Sequence, residues 1–245
     1  MDNGPINVRR LSLLAYNTAV SSARAEPSGL TGTSSATGEV DAWAELEESG
    51  LARDGHLTPE WARALAGATS APVTITVAAR HDRMVFDTDV ALLRGLGLTV
   101  TQRSLVGDEP SETLHEPVVE LVAFSPEQVW QAVRRVLPPE ETVRADPRPT
   151  PPSQRRTLGA DEVAREGVLA GGDAQVSLLV SIHTPQGTAP FGLHRWVLDG
   201  DDLYEVRGTD PEVVAVQPGA IAHELVYLVT GAYSAAATHL ESTVL

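Results

Sequence analysis

One phrase occurs twice in this chain, and it constrains the fold more than any motif. From Glu116 to Leu137 the sequence reads EPVVELVAFSPEQVWQAVRRVL, and from Asp210 to Gly231 it reads DPEVVAVQPGAIAHELVYLVTG. Each is a short Val-rich strand, a proline, and then apolar residues at helical spacing. Proline has no amide to leave unsatisfied in a first helical turn, and Ser125, Pro126 and Gln128 match a capping box. The second copy is closed by Gly231, which reads as a helix stop. A closing phrase used twice predicts two half-units of similar plan.

The rest of the chain fits that expectation. Ile6 to Arg9 reads as a short strand, Leu11 to Val20 as a helix, and the small-residue stretch from Ser21 to Gly38 as a loop. Asp41 begins a helix carrying Trp43, Leu46 and Leu51, and Thr58-Pro59 begins another. The period then drops to two: Val73, Ile75 and Val77 alternate with Thr74 and Thr76. Strands are expected at Met84–Leu93 and Leu98–Val106 around a Gly95-Leu96-Gly97 turn, and at Val118–Ala123. Six prolines between Pro138 and Pro152 exclude regular structure there, so 138–157 reads as a linker. The second half offers a helix near Asp161–Glu166 and strands at Val176–Ile182, Phe191–Leu198, Leu203–Arg207 and Val213–Val216, then a helix from Pro218 to Thr230.

The expected class is therefore α+β, with two similar half-units, each an antiparallel meander packed with helices, quasi-twofold related. Residues 1–137 form the first, 138–157 the linker and 158–245 the second, within one compact body.

Composition narrows function by exclusion. The formal net charge of −15 repels phosphate backbones, which argues against nucleic acid. Cysteine is absent, which removes thiolate zinc sites and thiol nucleophiles. No stretch approaches the roughly 20 apolar residues of a membrane span, and the polar interruptions at Ser12, Tyr16, Asn17 and Thr18 spoil a signal-peptide reading of the N-terminus. A cytoplasmic protein without membrane insertion is expected.

Catalytic and metal motifs are incomplete. His223-Glu224 opens like a zinc-binding HExxH helix, but Tyr227 stands where the second histidine belongs. His183 and His194 would have to meet across a hairpin to share a metal; otherwise they are unrelated strand residues. Asp199, Asp201 and Asp202 fit a hairpin turn around Gly200 better than a calcium loop. The glycines of GLTGTSSATG lack the lysine of a phosphate-binding loop, and no nucleophile elbow is present. Neither an enzyme nor a cofactor is expected from motifs, although a site assembled from distant residues would escape such a search.

In ELEESGLARDGHLTPEWARALAGATSAPVTITVAAR (Glu45–Arg80), EPVVELVAFSPEQVWQAVRRVLP and the order of elements after Leu158, the chain resembles the EspG-type proteins associated with actinobacterial type VII (ESX) secretion. The resemblance implies a cytosolic chaperone that binds the apolar tip of a helical-hairpin substrate of the PE/PPE kind, keeps it soluble and guides it to the secretion machinery. The chain is short for that family, its middle is Pro-rich where relatives carry more helix, and the family's substrate-binding loop maps onto no motif here. By position, and by the preference of such interfaces for aromatic and arginine anchors, partner contacts are expected at the Arg80–Phe86 turn (Arg80, Arg83, Met84, Phe86) and around the Pro185–Phe191 hairpin (Phe191, Trp196). The alternative is an acidic immunity or inhibitor-type protein that neutralises a basic toxin domain by charge complementarity.

Overall fold

A computed structural model describes residues 6–25, 37–107, 112–147, 156–157, 172–184, 186–208 and 212–241, with isolated helical positions at 166, 168 and 170. In chain order the elements are β1 (Asn7–Ser12), α1 (Leu13–Arg24), α2 (Thr37–Glu48), a small hairpin β2 (Ala52–Arg53) and β3 (His56–Leu57), and α3 (Pro59–Ala68). The first meander follows as β4 (Val73–His81), β5 (Met84–Leu93), β6 (Leu96–Val106) and β7 (Thr113–Phe124), then a 3-10 turn at Pro126–Gln128 leading into α4 (Val129–Arg134) and α5 (Glu141–Arg144). The second half contains β8 (Arg156–Thr157), β9 (Ala174–Thr184), β10 (Gly187–Asp199), β11 (Asp202–Arg207), β12 (Glu212–Val216) and α6 (Ala220–Glu241).

The strands form one ten-stranded sheet in the order β1-β7-β6-β5-β4-β9-β10-β11-β12-β8. Every pairing is antiparallel, so the fold is α+β, as the strand runs predicted. The halves meet at β4 and β9, whose register runs from Val73↔Ile182 to His81↔Ala174. Read inward from either edge, the order is short edge strand, last meander strand, and then the meander back to its first strand.

Alternation along β4 decides which face is buried. Val73, Ile75, Val77 and Ala79 join Val176, Leu178 and Val180 of β9 in a core covered by α4 and α6. Trp130, Val133, Leu225 and Leu228 supply the helical side of that core. On the opposite face α1, α2 and α3 cover the outer strands of the first half, where Leu11, Leu46, Leu65, Leu98 and Leu121 are buried together. A third cluster of Val197, Tyr204, Val206 and Val213 with Val168 lies on that same face of the second half.

Local chemistry fixes several boundaries differently from the sequence reading. Ser12 caps α1 by accepting from the Ala15 amide at 3.1 Å, and Glu45 of α2 accepts from both its amide and its hydroxyl. Helix α1 therefore begins at Leu13 and runs through Ser21 to Arg24, where a loop was expected; the rest of that expected loop lies outside the described residues up to Thr37. The turn between β5 and β6 is Arg94-Gly95, with Gly95 at φ 76°, while Leu96 and Gly97 are already strand. Gly231 does not stop α6, which continues to Glu241. It lies inside the helix because a Cβ there would come within 3.0 Å of the Phe191 ring. The 138–157 stretch is not wholly irregular: it contains α5, with Val143 buried, and β8, paired to Val214 and Ala215. The helix expected near Asp161–Glu166 lies outside the described residues except for Glu166.

Candidate functional site

The two turns singled out from sequence do not share a surface. Because β4 and β9 run antiparallel, the Asp82-Arg83 turn sits beside the start of β9, and the turn after Thr184 sits beside the start of β4, at the opposite end of the sheet. Arg80 and Arg83 are exposed, and Arg83 Nε donates to the Val106 carbonyl at 2.9 Å. Met84 and Phe86 are half-buried. Phe86 packs against the main core and is roofed by the Arg103 guanidinium, 5.4 Å from its ring centre.

Phe191 is 39% exposed and lies against Gly231 of α6. It is the extra residue of a bulge between Pro190 and Gly192, which turns it from the alternation its neighbours follow. Trp196 corrects the sequence expectation outright: it is 1% exposed, inside the main core and stacked on His194 at 5.5 Å. Its register opposite Val176 points it to the helix-covered face, so it cannot anchor a partner.

The surface that is open lies on the other face of the central strands. There α1 to α3 cover the outer strands of the first half and the Val197–Tyr204–Val213 cluster occupies part of the second, but β4, β9 and the first part of β10 are left between them, together with the middle of β5, where Asp87 and Asp89 are exposed and Asp89 accepts from the Thr76 hydroxyl at 3.1 Å. The floor of this trough is Thr74, Thr76 and Ala78 on β4, Ser177 and Leu179 on β9, and Leu193 on β10. Leu193 is 70% exposed and pairs directly with half-buried Leu179 across the strands. Arg80 and Arg195 are exposed on the same face. From β4 to β10 is about 10 Å at ordinary strand spacing, roughly the diameter of one helix with its side chains.

At the β10 side the trough runs into an open cavity of about 770 Å3. Strand β11 pairs with β10 only at Arg195–Asp199, so among the described residues Gly187–His194 has no strand on its outer side. Pro190 and the bulge interrupt this edge, as natural sheets do to discourage strand addition. The cavity wall carries His194, Glu205, Arg207 and Glu224. Glu205 is buried, and desolvation would raise its pKa, but hydrogen bonds from His194 and Arg207 and their charges prevail and hold it at about 2. His194 Nδ1 lies 2.9 Å from Glu205 and its Nε2 3.4 Å from Glu224.

This constellation ties α6 to the sheet. Both ring nitrogens of His194 face carboxylates, leaving neither positioned to accept a proton from a nucleophile. His183 lies on the opposite face, across from Thr188, so the two histidines do not meet. The His223-Glu224 pair is split in role, with Glu224 half-buried toward His194. Among the described residues no group of three or more histidine, aspartate or glutamate side chains is placed to hold a metal ion.

No family model and no curated protein matches the chain. Among solved structures, the 12:0-ACP thioesterase from Umbellularia californica aligns over 89% of this chain and 97% of that chain at 8% identity, with a TM-score of 0.18. A likeness of that size carries no argument about fold or activity. No helix among the described residues is long and apolar enough to cross a membrane.

Proposed function

We propose that this protein is a non-catalytic, partner-binding chaperone of the type VII secretion kind, which holds the apolar tip of a helical-hairpin substrate in the trough over β4, β9 and β10. The observation that carries the reading is the Leu179–Leu193 pair, with Leu193 70% exposed at the centre of a strand rather than in a loop. An exposed leucine alone is ordinary. Here it sits on a strip of sheet that α1 to α3 leave uncovered, flanked by the exposed carboxylates of Asp87 and Asp89 on β5, by the open edge of β10, and by Arg80 and Arg195 at its margins. Cytoplasmic residence belongs to this proposal, as does a quasi-twofold relation between the halves, which the mirrored strand order favours.

A second reading, an acidic inhibitor of a basic toxin domain, is favoured by the net charge of −15. Co-expression with helical-hairpin proteins encoded beside this chain, followed by size-exclusion chromatography, separates the two. The chaperone reading expects one such protein to become soluble and co-elute. Co-elution of a neighbouring basic toxin domain, with every hairpin protein left insoluble, would assign the inhibitor reading instead.

A further inference from the structure

The wall of one cavity beside α4 carries charge opposite to that of the chain, although α5 also bears the exposed Glu141. Across the sequence 18 cationic residues stand against 33 acidic ones. Yet the open cavity of about 660 Å3 beside α4 is lined by Arg134, Arg135 and Arg144, with Gln128, Gln131 and one acidic residue, Glu127. Each of the three guanidinium groups meets its acceptor at a single oxygen rather than in a two-point carboxylate pair. Arg134 reaches Asp146 Oδ1 at 3.3 Å, an oxygen that already accepts from Trp130 Nε1 at 2.9 Å. Arg135 is 3.9 Å from Glu120, whose carboxylate is bound by Arg10 and Arg103. Arg144 donates Nε to the Leu137 carbonyl at 3.1 Å, a neutral acceptor. Burial, opposed by Glu140 and reinforced by the Arg134 charge, holds the Arg144 guanidinium below the usual arginine range.

We infer that this face is a docking surface for an acidic peptide segment of a protein partner, whose carboxylates would engage Arg134, Arg135 and Arg144. Charge complementarity selects the occupant. Arginine pairs with carboxylates through two parallel hydrogen bonds, and a cavity wall of three arginines against one glutamate suits a short run of Asp or Glu side chains. A nucleic-acid strand, with its continuous charge, would extend past the patch into the field of an acidic protein. Helix α4 packs on the face of the sheet opposite the trough, so the two surfaces can be occupied together. The inference does not depend on what the trough binds.

The test is fluorescence anisotropy with a labelled, end-capped hexaglutamate peptide at low and at physiological ionic strength, using the full chain. Salt-sensitive binding is expected, weakened about tenfold or more by Arg134→Glu and by Gln131→Glu. Both side chains are exposed, and Gln131→Glu adds an opposing charge without removing any contact, so it remains informative if Arg134→Glu disturbs the fold. No binding at low ionic strength, or equal binding by wild type and both variants, overturns the inference. So does tighter binding of oligothymidylate that depends on Arg134, which would make the patch a nucleic-acid site. Self-association lost in Arg134→Glu would name a second copy of the chain as the occupant and likewise overturn it.

Discussion

Glu205 is a buried carboxylate kept charged by its neighbours, and this makes stability pH-dependent in a defined window. Its pKa falls from 4.5 to about 2 in the folded protein. A depressed folded pKa contributes stability that is fully present above about 4.5 and is lost as pH falls toward 2. Glu205→Gln should therefore cost about 2 kcal/mol at neutral pH, where Arg207 and His194 lose their anionic partner, and should flatten the acid limb of a Tm-versus-pH profile between those values. An equally steep limb in the variant would show that other carboxylates carry the acid sensitivity. Trp196 and Leu193 make a contrasting pair three residues apart. Trp196→Ala should cost about 3 to 5 kcal/mol by urea denaturation, because it empties a core position, whereas Leu193→Asp should change stability by less than about 0.5 kcal/mol, because that side chain stands in water. From sequence Trp196 reads as a partner contact, which its burial overturns, and nothing singles out Leu193. Strict alternation through APFGLHRW is broken by the bulge at Phe191, and nothing in the residue types announces which of two adjacent positions is the extra one.

At the scale of elements, the pattern of apolar residues located most strands, while close contacts decided several ends. β4 and β5 are legible in the alternation of Val73, Ile75 and Val77 and in the apolar run to Leu93. The returning half of the expected capping box is present at the 3-10 turn that leads into α4, where the Ser125 amide donates to Gln128 Oε1 at 3.4 Å. Glycines misled because each suggests a turn or stop from sequence alone, yet Gly97 and Gly231 are placed by ring contacts from strands far along the chain. A Cβ on Gly97 would stand 2.3 Å from the buried Phe124 ring. Gly97→Ala should accordingly destabilise by about 1 to 3 kcal/mol through overpacking, measured as a lower urea midpoint with unchanged m-value. Since its φ is not in the left-handed region, stability equal to wild type would mean that Phe124 yields freely.

For the whole molecule, the repeated strand-proline-helix phrase announced two meanders but not how they join. Their junction is β4 against β9, a pairing between strands separated by the Pro-rich stretch, and such long-range registry has no local signal. The principal core draws on both halves, from Val73 and Trp130 to Leu178, Trp196 and Leu225. Unfolding should therefore be one cooperative transition, with far-UV dichroism and tryptophan fluorescence coincident in urea; two separated transitions would mean that the halves are independent domains. The trough is illegible for the same reason, since it lies where the halves meet and, among the described residues, α1 to α3 do not reach. Partner capture on that surface is most directly tested by co-expressing the soluble-tip candidate, a PE/PPE-like helical hairpin encoded nearby, with wild type and with Leu193→Asp, and comparing co-elution at matched Tm. The predicted result is a stable complex with wild type that is lost in Leu193→Asp; undiminished co-elution with the variant, or no hairpin retained by wild type, would contradict it.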